Sequence, residues 1–233
     1  MAPKIILASA SPARYKLLQS AGITPEVIVS GVDEESSDYQ NLSPKELVIA
    51  LAIVKAHTVR AEINYPALII GCDSTFEFQG QSLGKPGSVE NAVARAKQLR
   101  GKSGLLHTGH CIIDTEKEIE ISDVVSTKVF FADMSDAEVD GYVATGEPLN
   151  VAGGFTLDGR SSPFISRIEG ETSNVIGLSL PLLRSAINKL GYQWFDLSCL
   201  YMPHMDQILI PGRCFLGLPI HLIAALDGYA GGA

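Results

Sequence analysis

The chain has 233 residues, 46% hydrophobic and 19% charged, enough to bury a core as one sizeable domain or two small ones and too apolar to be disordered throughout. Its 26 acidic and 18 basic residues give a net charge of −8, which argues against a nucleic-acid or anionic-membrane partner while leaving room for a local basic pocket around a small phosphate ligand. Four cysteines without a C-x-x-C pair (Cys72, Cys111, Cys199, Cys214) suit a reducing compartment, and no run approaches the ~20 apolar residues of a membrane span, so a soluble cytoplasmic protein is expected.

Met1–Ser11 mimics a signal peptide only loosely, because its apolar run is brief and Pro12 and Arg14 follow at once. Ile5–Ala8 reads as a strand. Ser11 as N-cap with Pro12 at the first helical position then opens a helix closed by Gly22. Glu26–Ser30 is strand-like. Ser43-Pro44-Lys45-Glu46 combines a capping box with proline at its preferred position and starts a helix to about Glu62. Ala67–Cys72 is a continuous apolar run, the pattern of a strand covered on both faces, and Thr75–Phe78 starts a hairpin turning at Gln79-Gly80. Ser88 caps a helix to about Leu99. Strand-like stretches follow at Leu105–Asp114 and Glu118–Phe131, and Ser135–Glu138 is another capping box whose helix Gly146 ends. Gly153 and Gly154 precede short strands near Phe155–Leu157 and Phe164–Glu169, and a last helix runs from Leu180 to about Leu190. Strands alternate with helices and also neighbour one another, so the expected class is α/β with a mixed twisted sheet flanked by helices. Residues 1–192 are read as one domain. Residues 193–233 are read as an apolar C-terminal extension: a docked helix and strand, a dimer contact or a mobile tail.

Four places carry residues suited to phosphate chemistry. In Ser9-Ala10-Ser11-Pro12-Ala13-Arg14, a strand feeds a helix whose unpaired N–H groups suit an anion, with two hydroxyls and a guanidinium beside them; the alternative is ordinary capping plus a solvent-facing arginine. Asp73, at the end of the apolar run, stands where open sheets place catalytic groups, to hold a divalent metal or accept a proton from water; alternatively it is a turn residue. Lys85 is fixed on an extended backbone between Gly84 and Pro86, aimed at a phosphate or simply solvated. Lys55 shares a helix face with Val48, Leu51 and Ala52, so it either snorkels to water or points into a cleft with an anionic partner. The acidic residues of Asp33-Glu34-Glu35 and Gly146-Glu147-Pro148 are otherwise explained by loop solubility. His107 and His110, three apart in a strand, point to opposite faces and make a poor metal pair.

The order of these signals is more specific than any one of them. Leu7–Arg14, Asp33-Glu34, Lys55-Ala56, Asp73-Ser74 and Gly84-Lys85-Pro86, continued by Thr108-Gly109, Tyr142–Pro148, Ala152–Phe155 and Asn174–Leu178, resemble the Maf family over about residues 4 to 192. That resemblance implies a forked α/β body around a central cleft, similar to the inosine triphosphatases. It also implies hydrolysis of a nucleoside triphosphate between its α- and β-phosphates to a monophosphate and pyrophosphate. A divalent cation (Mg²⁺ or Mn²⁺) is implied as cofactor, a nucleotide as the small-molecule partner, and a homodimer as the assembly. Asp73 is then the proton acceptor and, with Glu34, a metal ligand. Arg14, Lys55 and Lys85 are the phosphate-binding cations, with Ser9 and Ser11 beside the substrate. Near these cations and a metal, Asp73 is expected to stay ionised at neutral pH.

Three departures bear on the base. Ala13, Ser74 and Asp158 stand where the thymidine/uridine-triphosphate branch of the family has arginine, threonine and glutamine. Ala13 removes a donor and Asp158 replaces an amide with an acceptor, so that substrate preference is not carried over. The same family is associated with septum formation, which makes a nucleotide-binding regulator without turnover the alternative reading.

Overall fold

The computed structural model describes residues 3–198. Strand β1 (Lys4–Ala8) leads into α1 (Pro12–Ser20), with Ser11 capping the helix and accepting from the Arg14 N–H. β2 is only Glu26–Val27, shorter than the strand expected to Ser30. Helix α2 (Pro44–Glu62) starts at the expected capping box, in which Ser43 Oγ accepts from the Glu46 N–H while the Glu46 carboxylate accepts from the Ser43 N–H at 2.9 Å. β3 (Ala67–Phe78), β4 (Gln81–Leu83), α3 (Val89–Leu99), β5 (Ser103–Asp114), β6 (Ile119–Phe131) and α4 (Asp136–Ala144) follow. The described chain finishes with β7 (Ile165–Glu169), α5 (Thr172–Ile176), α6 (Leu180–Lys189) and α7 (Trp194–Ser198).

The seven strands form one mixed sheet in the order β2-β1-β3-β5-β6-β7, with β4 hydrogen-bonded to β3. β1 runs parallel to β2 and β3, while β5, β6 and β7 each pair antiparallel with their predecessor. The sheet has a core on each face. On one face Ile5, Leu7, Leu68, Ile70 and Ile112 pack against Leu18 of α1 and Leu183 and Ile187 of α6. On the other, Ile6, Ile69 and Ile113 pack against Ala52, Ala56 and Val59 of α2. The small side of α2 is needed because it lies directly on the strands: a Cβ on Gly71 would strike the Ala52 carbonyl, and one on Gly109 the Val48 carbonyl. The long strands β3, β5 and β6 then run on past β1. There Phe76, Phe131 and Phe155 meet edge to face, with centroids 5.0–5.7 Å apart, and form a third core.

Two further expected elements differ. The interval expected between a strand ending at Cys72 and a hairpin starting at Thr75 does not exist: β3 is continuous for 12 residues, because β5 pairs with it from Leu68 through Glu77. Phe155–Leu157 is not a strand, since those residues belong to a loop hydrogen-bonded around the Glu147 carboxylate. Of the extension expected at 193–233, the described part is 193–198: Leu197 is buried in the core beside α6, and Trp194 Nε1 donates to the Ala21 carbonyl at 3.3 Å. The remainder lies outside the described residues. Among the described residues no helix is long and apolar enough to cross a membrane.

Candidate active site

β1 ends at Ala8, opposite Gly71 of β3, and β4 joins that same side of β3 only at Phe76. Between the two, residues 72–75 of β3 present an edge with no strand beside it, and a cleft of about 460 Å³ opens there. Asp73 stands in the middle of that edge. It is therefore not at the end of its own strand, as the apolar run suggested, but just past the carboxyl end of the neighbouring β1. The apolar run marks only the first half of the strand, because pairing with β5 carries β3 on through polar positions.

The cleft brings together the residues that the family resemblance assigned to the site and to base choice, while Asp33, Glu35, Glu147, His107 and His110 do not line it. Ser9, Ser11, Ala13 and Arg14 come from the β1–α1 turn, Glu34 from the turn after β2, and Lys55 from α2. Asp73 and Ser74 come from β3, Lys85 from the segment after β4, and Asp158 from the loop after Phe155. Lys55 takes the second of its two alternatives. Its stem lies on the apolar face of α2 and its ammonium turns inward, 2.6 Å from Asp73 Oδ1 and 2.5 Å from Glu34 Oε1, leaving it only 6% exposed. Lys85 is exposed and makes no hydrogen bond or ion pair with the described residues. Its backbone is nevertheless fixed, because the Gly153 N–H donates to the Gly84 carbonyl at 3.2 Å and the Gly87 N–H to the Leu149 carbonyl at 3.1 Å.

Arg14 is buried and almost fully engaged. Nε donates to the Gly177 carbonyl at 2.7 Å, Nη1 to Ser9 Oγ at 2.9 Å and the Cys72 carbonyl at 3.0 Å, and Nη2 to Ser74 Oγ at 2.9 Å. The hydroxyls behind it have a single consistent direction. Thr108 Oγ1 donates to the Asn174 carbonyl, so Ser74 Oγ must donate to Thr108 Oγ1 and accept from Arg14. Cys72 and Ser74, the two neighbours of Asp73, are thus both held by one guanidinium. Sequence reasoning named Arg14 but missed Thr108, Asn174 and Gly177 as its support. Only the order of the motifs hinted that they meet, since Gly177 lies 163 residues from Arg14.

The two carboxylates that share Lys55 are pushed apart in acidity. Burial is the largest influence on Asp73 and raises its pKa above the ordinary aspartate range, with Lys55 and Arg14 pulling back. For Glu34 burial also works upward, but Lys55, and at longer range Lys85 and Arg14, outweigh it and hold the group below the usual value. The expectation for Asp73 rested on the cations and a metal; burial is the opposing influence it left out.

Behind the cleft, His110 is fully buried, and its Nε2 accepts from the Ser179 N–H at 2.8 Å, so Nδ1 carries the proton and finds no partner. Burial, with the Arg14 charge second, lowers its pKa to about 4; Asp123 opposes weakly. Between that value and the ordinary ~6.5 the unfolded chain binds a proton that the folded chain refuses, so stability is present above pH 6.5 and falls as pH drops toward 4. Between pH 7.0 and 4.5 the loss expected from this group is about 2 kcal/mol. Urea denaturation at pH 7.0 and 4.5 should show a drop that His110→Gln reduces by roughly that amount. Equal drops in the two proteins would remove His110 as the cause.

The sequence profile of the family described as Maf-like protein matches residues 4–190. A nucleoside triphosphate pyrophosphatase of Streptomyces coelicolor (strain ATCC BAA-471 / A3(2) / M145) is 53% identical over 189 residues, which cover 81% of this chain and 91% of the relative. One of Synechococcus sp. (strain JA-2-3B'a(2-13)) is 50% identical over 196 residues, covering 84% and 98%. Among solved structures, a nucleoside-triphosphatase / dITP/XTP pyrophosphatase from Mycobacterium abscessus is similar with a TM-score of 0.38 and 12% identity, over 80% of this chain and 94% of that one.

Proposed function

This chain belongs to the Maf-like protein family, and on that premise we propose that it hydrolyses a nucleoside triphosphate between the α- and β-phosphates, releasing pyrophosphate and a nucleoside monophosphate. The observation that carries the reading is the placement of Asp73: buried, at the unpaired edge of β3, tied to Lys55, in a cleft that also holds Lys85 and the N-terminus of α1.

Hydrolysis of a phosphoanhydride asks for charge neutralisation on the phosphate oxygens more than for covalent chemistry. Lys85, with no hydrogen bond or ion pair among the described residues, is suited to meet a phosphate directly. Pro12 has no N–H and the Arg14 N–H is capped by Ser11, so the Ala13 N–H, with the hydroxyls of Ser9 and Ser11, adds donors on the same side. Lys55 and Arg14 contribute positive charge from behind. Asp73, whose affinity for a proton is raised by burial, accepts the proton of the attacking water as its oxygen bonds to phosphorus and the bridging oxygen departs. Glu34, held at low pKa, stays an anion beside it.

The charges of the cleft also speak for a cation brought with the substrate. Arg14, Lys55 and Lys85 are matched there by Glu34, Asp73 and Asp158, three against three, which leaves no surplus for a triphosphate. Asp73 and Glu34, the two carboxylates that meet at Lys55, would be the residues to hold a divalent ion there by their oxygens. That is the habit of Mg²⁺, and Mn²⁺ takes the same oxygen donors. When bound, the ion would supply the missing positive charge on the phosphates.

A pyrophosphate-release screen across natural, methylated and deaminated nucleoside triphosphates, with Mg²⁺ or Mn²⁺, tests the reading. At least one nucleotide should give metal-dependent release. Thermal protection by nucleotides with no release under either metal would instead favour the regulator that binds without turnover.

A further inference from the structure

Glu147 opens the 3₁₀ turn Glu147–Asn150, and from the sequence it had only loop solubility to explain it. In the structure its carboxylate is the centre of a loop. Tyr142 Oη donates to it at 3.2 Å and Thr156 Oγ1 at 2.8 Å. The Arg160 N–H reaches both oxygens at 3.0 and 2.9 Å, and the Ser161 N–H reaches Oε1 at 3.4 Å. The loop also closes on itself, since Ser161 Oγ accepts from the Thr156 N–H at 2.7 Å and donates to the Thr156 carbonyl at 2.6 Å. Gly159 has no room for a side chain: a Cβ there would strike Thr156 Oγ1 and come within 2.7 Å of Glu147 Oε2. These donors outweigh burial and hold Glu147 at low pKa, as an anion inside a ring of N–H and O–H groups.

The outer side of the same loop is cleft wall. Phe155, Thr156, Leu157 and Asp158 line it, continuous with Asn150–Ala152. This stretch offers no cation, and its one charge is negative, so it is unfit for phosphate. A polar amide and hydroxyl beside apolar carbons suit an uncharged heterocycle instead. The cleft thus has a cationic end around Lys85 and a base-accepting end whose shape depends on what lies behind it.

We infer that Glu147 is a positioning residue for nucleobase discrimination: by organising the 156–161 loop from behind, it fixes the wall that reads the base. This rests on the proposed reading of the cleft as a nucleotide site.

The test compares wild type, Glu147→Gln and Glu147→Ala on the four ribonucleoside triphosphates with Mg²⁺, together with inhibition by inorganic tripolyphosphate, which engages only the phosphate end. The ratio of kcat/KM between the best and worst base should contract at least tenfold in the alanine variant. The contraction should be smaller in the glutamine variant, whose remaining carbonyl still accepts one of the loop's donors. Tripolyphosphate inhibition should stay within threefold of wild type. If the wild type binds nucleotides without turnover, dissociation constants give the same ratio. An unchanged ratio with a uniform loss of activity, tripolyphosphate inhibition weakened in parallel, or equal treatment of the bases by wild type overturns the inference and leaves the hydrolase reading intact. A wild type that neither binds nor hydrolyses any triphosphate overturns both.

Discussion

Asp73→Asn is expected to lower kcat by about 10²–10⁴, the usual worth of a general base, while nucleotide binding stays measurable. Asparagine has nearly the same shape, so the edge of β3 and the pairing of Asp73 with Gly109 across β5 should survive. What it lacks is the ability to take a proton. Lys55 keeps Glu34 at 2.5 Å, so the change does not strand a buried ammonium without a carboxylate, and the fold should tolerate it. Removing a negative charge from a cleft in which cations and carboxylates are balanced also lessens repulsion of a polyphosphate. The result to look for is therefore a split: turnover collapses in a pyrophosphate-release assay, while calorimetric titration with nucleotide still gives a binding isotherm. Full turnover in the variant would take Asp73 out of the proton-accepting role.

Local signals proved the most legible part of this chain. Capping at Ser11, Ser43, Ser88 and Ser135 depends on side chains within three residues of the helix they start, and each cap is observed. The candidate residues also came into one cleft, because five separate motifs end at the same sheet edge. What escaped the sequence depends on partners far along the chain. The length of β3 is set by β5, whose pairing residues lie roughly 40 positions away, and nothing inside Ala67–Phe78 marks Asp73 as mid-strand. Lys55 was ambiguous because the side of α2 that carries it looks the same whether the ammonium meets water or a carboxylate; Asp73 and Glu34 decide it. Glu147 looked like a solvated loop residue because two of its four donors are backbone N–H groups, which leave no trace in residue identity, and the other two are hydroxyls five and nine positions away.

Arg14→Lys is the second large effect, and it separates charge from geometry. A lysine keeps the positive charge but replaces a planar fork by one point with three donors, and has a methylene without a donor at the position of Nε. It cannot reach Gly177, Ser9, Cys72 and Ser74 together, so buried carbonyls that the guanidinium satisfies lose their partner. Gly177 shows how closely the fork is fitted: its φ is +122°, and a Cβ there would lie 3.2 Å from Arg14 Nε. The expected loss of stability is about 3 kcal/mol, read by urea denaturation without ligand. Because Cys72 and Ser74 flank Asp73, loosening them should also misplace the carboxylate, and kcat should fall at least tenfold, with a smaller rise in KM because the charge remains. Were Arg14 only a charge facing the phosphates, lysine would replace it with unchanged stability and nearly unchanged kcat. That outcome would shift the organisation of the β3 edge from the guanidinium to the strand pairing alone.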